Sequence, residues 1–356
     1  MFPISFLYTS KFLTNACYFL TTIGVPIHLF GAYLILCKTP KRMGSVKWYM
    51  LNVHFWSSLL DFSLTFLVIP FMLFPFAAGW PFGIFAWLEI NPAIQTTVIV
   101  TEIGLTILSI LVLFENRYTF LSSNNKVWAR TRSYTIRLLH VVAVTYFIPF
   151  NFLIPNQEIA ISAITQVEVI ELRAEVLIDI IQFDWWEFSA NIISAENGKQ
   201  TLPTLRTFYS GSIFVLTQDA TLVVVVTAFK VIFEFFFIGL LVVLTFLDTI
   251  RQNKASTLSQ FTMTLQRKFF VSITIQTVIP FCIIMMPLLY CVFSVAENHF
   301  NQAMNNLCFI IISSHGIIST TAMTLIHKPY RDVLFPCHKH TKVRRMTLSG
   351  LHILHE

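Results

Sequence analysis

The tetrapeptide Glu115-Asn116-Arg117-Tyr118 stands where a long apolar run meets a basic segment, with a carboxylate next but one to a guanidinium. An arginine at such a boundary can be held by an acid in one state and released to a partner in another, as a two-state switch requires. Further ionisable side chains lie inside apolar runs, where each is costly unless it faces a bundle interior or reaches an interface. Asp61 sits roughly three to four helical turns from either end of its run, too deep for a short carboxylate to reach water. It needs hydroxyls, amides or a cation beside it, and both an ion- or proton-linked site and a hydrogen-bonded packing carboxylate satisfy that need. Glu102 falls about two turns into another run, where an entering ligand could meet it or a structural hydrogen bond could hold it. Lys230 and Glu234 are four apart and can pair on one helix face. His28, His54, His140 and His315 have no helical partner at metal spacing and read as hydrogen-bonding packers.

Enzyme constellations are missing from the chain: it has no glycine-rich phosphate loop, no HExxH and no GxSxG. The Cys337-His338-Lys339-His340 run reads as part of a basic tail, and the six cysteines form neither a disulfide framework nor a zinc spacing. No catalytic role, cofactor or metal is expected. The net charge of +6 is carried in short clusters between apolar runs, which suits a lipid surface rather than a nucleic acid.

The elements that must position these residues follow from composition. Hydrophobic residues make up 55% of the 356 and charged residues 12%, with a mean hydropathy of +0.70, so most of the surface faces lipid. Crossing a hydrocarbon core takes about 20 mostly apolar residues, and seven stretches qualify. They are 15–36, 48–75, 93–114, 134–154, 226–247, 269–294 and 306–326, an all-α seven-helix membrane bundle preceded by residues 1–14. The first helix is the expected signal anchor. The start of helix five is open, because the Val- and Thr-rich residues before Ala228 suit an extended segment or an early helical turn. Prolines interrupt helix two (Pro70, Pro75), helix four (Pro149) and helix six (Pro280, Pro287).

Of the 24 lysines and arginines, 19 fall in or at the edges of the connections after helices one, three and five and in the tail 327–356. The positive-inside rule then places the N-terminus outside and the C-terminus in the cytoplasm. The long connection 155–221 is acidic and lies on the outer side. Within it Glu168, Glu171, Glu175, Asp179 and Gln182 recur on one face opposite Val167, Ile170, Leu177, Ile178 and Ile181, which predicts an amphipathic surface helix.

Several segments together resemble the nematode serpentine receptors of class H, chemosensory G-protein-coupled receptors. They are PIHLFGAYLILCKTPKRMGSVKWYMLNVHFWSSLLD (Pro26 to Asp61), LFENRY (Leu113 to Tyr118), LSQFTMTLQRKFFVSITIQTVIP (Leu258 to Pro280), NQAMNNLCFIIISSHGIIST (Asn301 to Thr320) and HKPYRDVLF (His327 to Phe335). The resemblance implies a multi-pass protein of the plasma membrane of sensory neurons, binding a small-molecule or peptide ligand and engaging a heterotrimeric G protein. It puts Glu115, Arg117 and Tyr118 at the activation switch and gives Asp61 the place of the helix-two aspartate of rhodopsin-like receptors, an allosteric ion site by analogy. Glu102, Lys230 and Glu234 are the candidate ligand-binding residues. Two departures stand out: no outer cysteine pair ties helix three to the second outer loop, and helix seven ends in His327-Lys328-Pro329-Tyr330-Arg331 instead of carrying an internal NPxxY. The rival reading is a transporter or channel using the intramembrane charges, although the two halves show no repeat.

Overall fold

The computed structural model describes residues 4–40, 46–121, 126–162, 213–217, 219–254 and 260–335. The amphipathic helix expected over 168–182 and the Cys337–His340 run lie outside them. Helix α1 (Ser10–Tyr33) opens on Thr9, whose hydroxyl accepts the Phe12 N–H at 3.1 Å, and continues through a π-helical turn, Leu34–Lys38. Helix α2 (Val46–Phe62) likewise runs into a π-helical turn, Ser63–Leu67. Then follow α3 (Pro92–Leu121), α4 (Lys126–Thr145), α5 (Thr221–Lys254) and α6 (Gln260–Ala296). The seventh span is made of two helices, α7 (Gln302–Ser313) and α8 (His315–Ile326), and a short α9 (Lys328–Leu334) ends the described chain.

Five of these stretches are long and apolar enough to cross a membrane: Ser10–Lys38, Pro92–Phe120, Lys126–Leu153, Thr221–Arg251 and Gln302–Ile326. With α2 and α6 they make the seven-helix bundle. Helix α3 is its central post, with 67% of its apolar window buried, whereas α4 has 17% buried and turns Val127, Tyr134, Leu138 and Val141 outward. The main core gathers Ile107, Leu108, Leu111 and Phe114 of α3 against Met50 and Val53 of α2 and Val231, Phe235 and Ile238 of α5. Lipid tails are as apolar as these side chains, so burial alone does not set helix order in a bilayer. Polar contacts between helices carry much of that specificity.

Helix two departs from the expected 48–75. It ends at Leu67, and the chain turns through Ile69, with φ 42°, into a hairpin of β1 (Pro70–Met72) and β2 (Ala77–Pro81). The residue before a proline is pushed out of the α region, and Pro70 has no N–H to continue the helix, so Pro70 ends the helix rather than kinking it, while Pro75 falls in the hairpin turn. The strands pair antiparallel, Phe71 opposite Trp80, and β3 (Phe214–Thr217) joins the far side of β2. Pro70 sits on the edge strand, where a missing donor costs least, and Pro81 is the last residue of β2. Gln157 continues the pairing beyond β3, its side chain accepting from Val215 N at 2.9 Å and donating to Val215 O at 3.0 Å. Phe71, Trp80 and Val215 are buried and plug this end of the bundle.

The other boundaries shift less. Helix α5 begins at Thr221, so the Val run before Ala228 is helical and only Phe214–Thr217 is extended. Helix α4 begins at Lys126, earlier than expected, and stops at Thr145 before a 3₁₀ segment, Ile148–Leu153, with Pro149 in its first turn. Helix α6 passes Pro280 and Pro287 without a break.

Candidate functional site

Residues two apart on a helix point about 200° apart, so Glu115 and Arg117 face different neighbours. Glu115 is fully buried in the last two turns of α3 and turns toward α4. Its Oε1 accepts from the Thr119 hydroxyl at 2.6 Å and from the Trp128 indole at 3.0 Å, while Oε2 accepts from Arg132 Nη2 at 2.8 Å. The acid is thus held by Arg132 and not by Arg117. Tyr118 is buried against the Trp128 ring, edge on at 6.2 Å, and Trp128 also meets Phe237 of α5. Trp128 and Arg132 were not singled out from sequence, because nothing local relates them to a residue more than a dozen positions upstream on another helix.

Arg117 is half-buried on the opposite side, and its charge reaches His327 at the junction of α8 and α9. Burial, helped by that charge, pushes the His327 imidazole down to about 4, so it is neutral at pH 7. His327 ends α8, and Pro329 in the first turn of α9 starts the next helix with its ring already at helical φ. Tyr330 is buried, and its hydroxyl bonds the Thr39 hydroxyl at 2.7 Å. Burial raises this phenol, so it remains an O–H group at neutral pH. Thr39 belongs to the Lys38-Thr39-Pro40 turn after α1, so the segments Pro26–Asp61 and His327–Phe335 of the resemblance meet in this hydrogen bond. Arg331 lies in the last turn of α9, where a cation suits the helix C-terminus.

Asp61 lies where α1, α2 and the broken seventh span converge. Its Oδ1 accepts from the Gly316 N–H at 3.1 Å and lies 2.8 Å from His315 Nδ1; its Oδ2 accepts from the Ile317 N–H at 2.9 Å and lies 3.2 Å from His28 Nε2. The carboxylate therefore caps the N-terminus of α8, supplying an acceptor to free amides that a continuous helix would have bonded internally. The close approach requires glycine at 316, since a Cβ there would stand 2.6 Å from Asp61 Oδ2 and 2.9 Å from the Ser57 carbonyl. Gly31 does the same for α1, where a Cβ would fall 2.5 Å from Thr320 and 2.8 Å from His54. The histidines read as packers, His28, His54 and His315, thus surround one acid. Their separations in sequence, 33 positions between His28 and Asp61, hide this from any periodicity.

Glu102 is buried and accepts from the Ser63 hydroxyl at 3.0 Å, while its Oε2 has no hydrogen-bond partner among the described residues. Lys230 and Glu234 close on each other at 3.1 Å, with the ammonium 4.7 Å above the Tyr146 ring. The ammonium packs against Gly104, where a Cβ would lie 2.7 Å away, on a different face of α3 from Glu102. Two amides near the start of α7 tether the plug, Gln302 donating to Met72 O at 3.1 Å and Asn305 to Phe74 O at 3.1 Å, and Asn306 holds the N-terminal segment through Leu7 O at 2.8 Å.

The family model described as serpentine type 7TM GPCR chemoreceptor Srh matches residues 8–170 and 193–339. The chain is also similar to serpentine receptor class H-72 of Caenorhabditis elegans, 23% identical over 334 residues that cover 92% of this chain and 85% of that protein. A seven-helix bundle with an acid-x-Arg-Tyr at the end of its central helix, matched to the family along most of its length, belongs to the Srh serpentine chemoreceptors.

Proposed function

We propose that this chemoreceptor sits in the plasma membrane of sensory neurons with its N-terminus outside, takes a small-molecule or peptide ligand from the side of the β-plug, and engages a heterotrimeric G protein at the Arg117 end. The observation that carries the reading is the division of labour at the inner end of α3. Glu115 is occupied by Arg132 and Trp128 of the peripheral α4, while Arg117 faces the α8–α9 junction. Release of Glu115 by movement of α4 would change the electrostatics of one face of α3 without disturbing its packed core. Glu102, with one buried oxygen unpartnered among the described residues, is the candidate polar contact for ligand, and the self-neutralising Lys230–Glu234 pair is a second candidate.

The test is basal nucleotide exchange by G proteins in membranes of cells expressing the receptor, with surface density measured in parallel. Arg132→Ala should raise basal exchange several-fold, and Arg117→Ala should bring it to background at unchanged surface density. Equal exchange in wild type, both variants and empty membranes, together with ion flux carried by the protein, would replace the receptor reading by the transporter one. Accessibility of N- and C-terminal tags on intact cells tests the orientation.

A further inference from the structure

The hydrogen bonds around Asp61 form a chain whose protons can be counted. His54 Nε2 lies 2.9 Å from the His28 carbonyl, which only accepts, so His54 carries its hydrogen at Nε2 and has a lone pair at Nδ1. That Nδ1 faces the Thr320 hydroxyl at 3.4 Å. His28 Nε2 lies 3.2 Å from the Asp61 carboxylate, so a neutral His28 carries its hydrogen there and also has a lone pair at Nδ1. This second Nδ1 faces the same Thr320 oxygen, again at 3.4 Å. One hydroxyl hydrogen is thus set between two nitrogen acceptors, and one of them meets only oxygen lone pairs.

A single added proton completes the chain. With hydrogen on both nitrogens, His28 donates to Asp61 from Nε2 and to the Thr320 oxygen from Nδ1; Thr320 donates to His54 Nδ1; His54 donates to the His28 carbonyl. The imidazolium charge then lies against the Asp61 carboxylate. His315 is a poorer home for the proton. Its Nδ1 already carries hydrogen, since both neighbours, Asp61 Oδ1 at 2.8 Å and Ile312 O at 2.9 Å, are acceptors. Its Nε2 is buried with no hydrogen-bond partner among the described residues, so a second hydrogen there would find no acceptor.

We propose that His28 is a proton-binding site inside the membrane-spanning bundle, and that the bound proton fastens α1 to α2 and α8. The ionisable and polar groups facing it come from every helix packed on it: Asp61 and His54 from α2, His315 and Thr320 from α8, and the Ser313 hydroxyl from α7. Asp61 is the one acid among them, so proton uptake makes the cluster neutral where it would otherwise hold a lone buried charge. A cavity of about 10 Å³, room for one water, is lined by His28, Asp61, Thr21, Thr65 and Ser313 and gives a carrier water a place beside the imidazole. The step is a simple transfer: hydronium gives up its proton, the Nδ1–H bond forms, and water is left.

The acceptors that receive this proton are brought together only in the folded bundle, so the bound proton stabilises the fold at low pH and that gain fades as pH rises. The measurement is the thermal unfolding midpoint of the whole chain in lipid nanodiscs, for wild type and His28→Gln, between about pH 8 and pH 6. It needs neither ligand nor G protein, so its outcome is separate from that of the signalling assay. The expected result is a wild-type advantage over His28→Gln that grows by several degrees as pH falls. Taking the difference between the two removes His327, which acts in the opposite sense because its neutral form is the buried one. A difference that stays constant with pH, or a dependence abolished by His315→Gln and kept by His28→Gln, overturns the proposal. Should His28→Gln fail to fold, Thr320→Val decides: it is isosteric and removes only the hydroxyl that receives the proton's hydrogen bond. It should shrink the low-pH gain, and a wild-type profile in it also overturns the proposal.

Discussion

Asp61 and Glu115 are both buried carboxylates with full sets of donors, yet their donors differ in kind. Asp61 is met by two backbone amides of α8 and two imidazoles, groups fixed by the packing of the bundle's middle. Glu115 is met by three side chains, two of them on peripheral α4, and its Arg132 partner keeps 28% of its side chain exposed. The first acid is a pivot that cannot be released without reorganising the seventh span. The second is a clasp, whose guanidinium has water within reach when the contact opens.

The largest effect expected from this contrast is at Asp61. Asp61→Leu leaves the Gly316 and Ile317 amides and the His28 Nε2–H without their acceptor, and removing one partner from such a buried set costs roughly 3–5 kcal/mol. The unfolding midpoint and surface density should both fall steeply. Asp61→Asn should also destabilise, by about 1–3 kcal/mol, because its NH₂ must face either Ile317 N and His28 or Gly316 N and His315, donor against donor. An Asn variant as stable as wild type would show that the cap on α8 is not a charge-dependent contact.

Glu115→Gln should cost much less stability than either Asp61 variant and change signalling more. Arg132 can swing to solvent, so the loss is on the order of 1 kcal/mol, in the range of partly exposed pairs. Basal nucleotide exchange should rise as α4 loosens. If Glu115→Gln destabilised as much as Asp61→Leu and left basal exchange unchanged, the clasp would be a second pivot and the distinction would fail.

The contrast also explains how much could be read from the chain alone. The spans were visible because about 20 apolar residues are needed to cross lipid, and the Lys230–Glu234 pair because its partners are four apart on one helix. The hairpin Pro70–Pro81 was hidden because a buried apolar strand and more helix have the same hydropathy; only Pro70 and Pro75 hinted at an end. Asp61 was found by its cost in lipid, but the residues that meet that cost come from α1 and α8. Glu115 and Arg117 were found by their spacing, which reads as a pair, although helical geometry turns them apart. Arg132 and Trp128 belong to a basic stretch that resembles any cytoplasmic loop. The cluster around Asp61 was therefore legible as a need and not as an arrangement.

The smallest predicted effect tests whether the end of the bundle where α1 meets α9 behaves as clasp or pivot. Tyr330 is fully packed, but its hydroxyl makes a single neutral hydrogen bond, to Thr39 at 2.7 Å. Tyr330→Phe keeps the ring and removes one member of that pair, leaving a threonine hydroxyl that still donates to the Ile35 carbonyl at 2.6 Å. The cost should therefore be near the net worth of one hydrogen bond, about 1 kcal/mol. Thr39→Val should cost a similar amount plus the Ile35 contact. In the double variant the second substitution has nothing further to break at this bond, so the two costs should fall short of adding by about 0.5–1.5 kcal/mol. Unfolding midpoints of the four proteins measure this coupling. Full additivity would mean that the bond joining the two motif segments contributes nothing, and that the ring of Tyr330 alone holds α9 against the turn after α1.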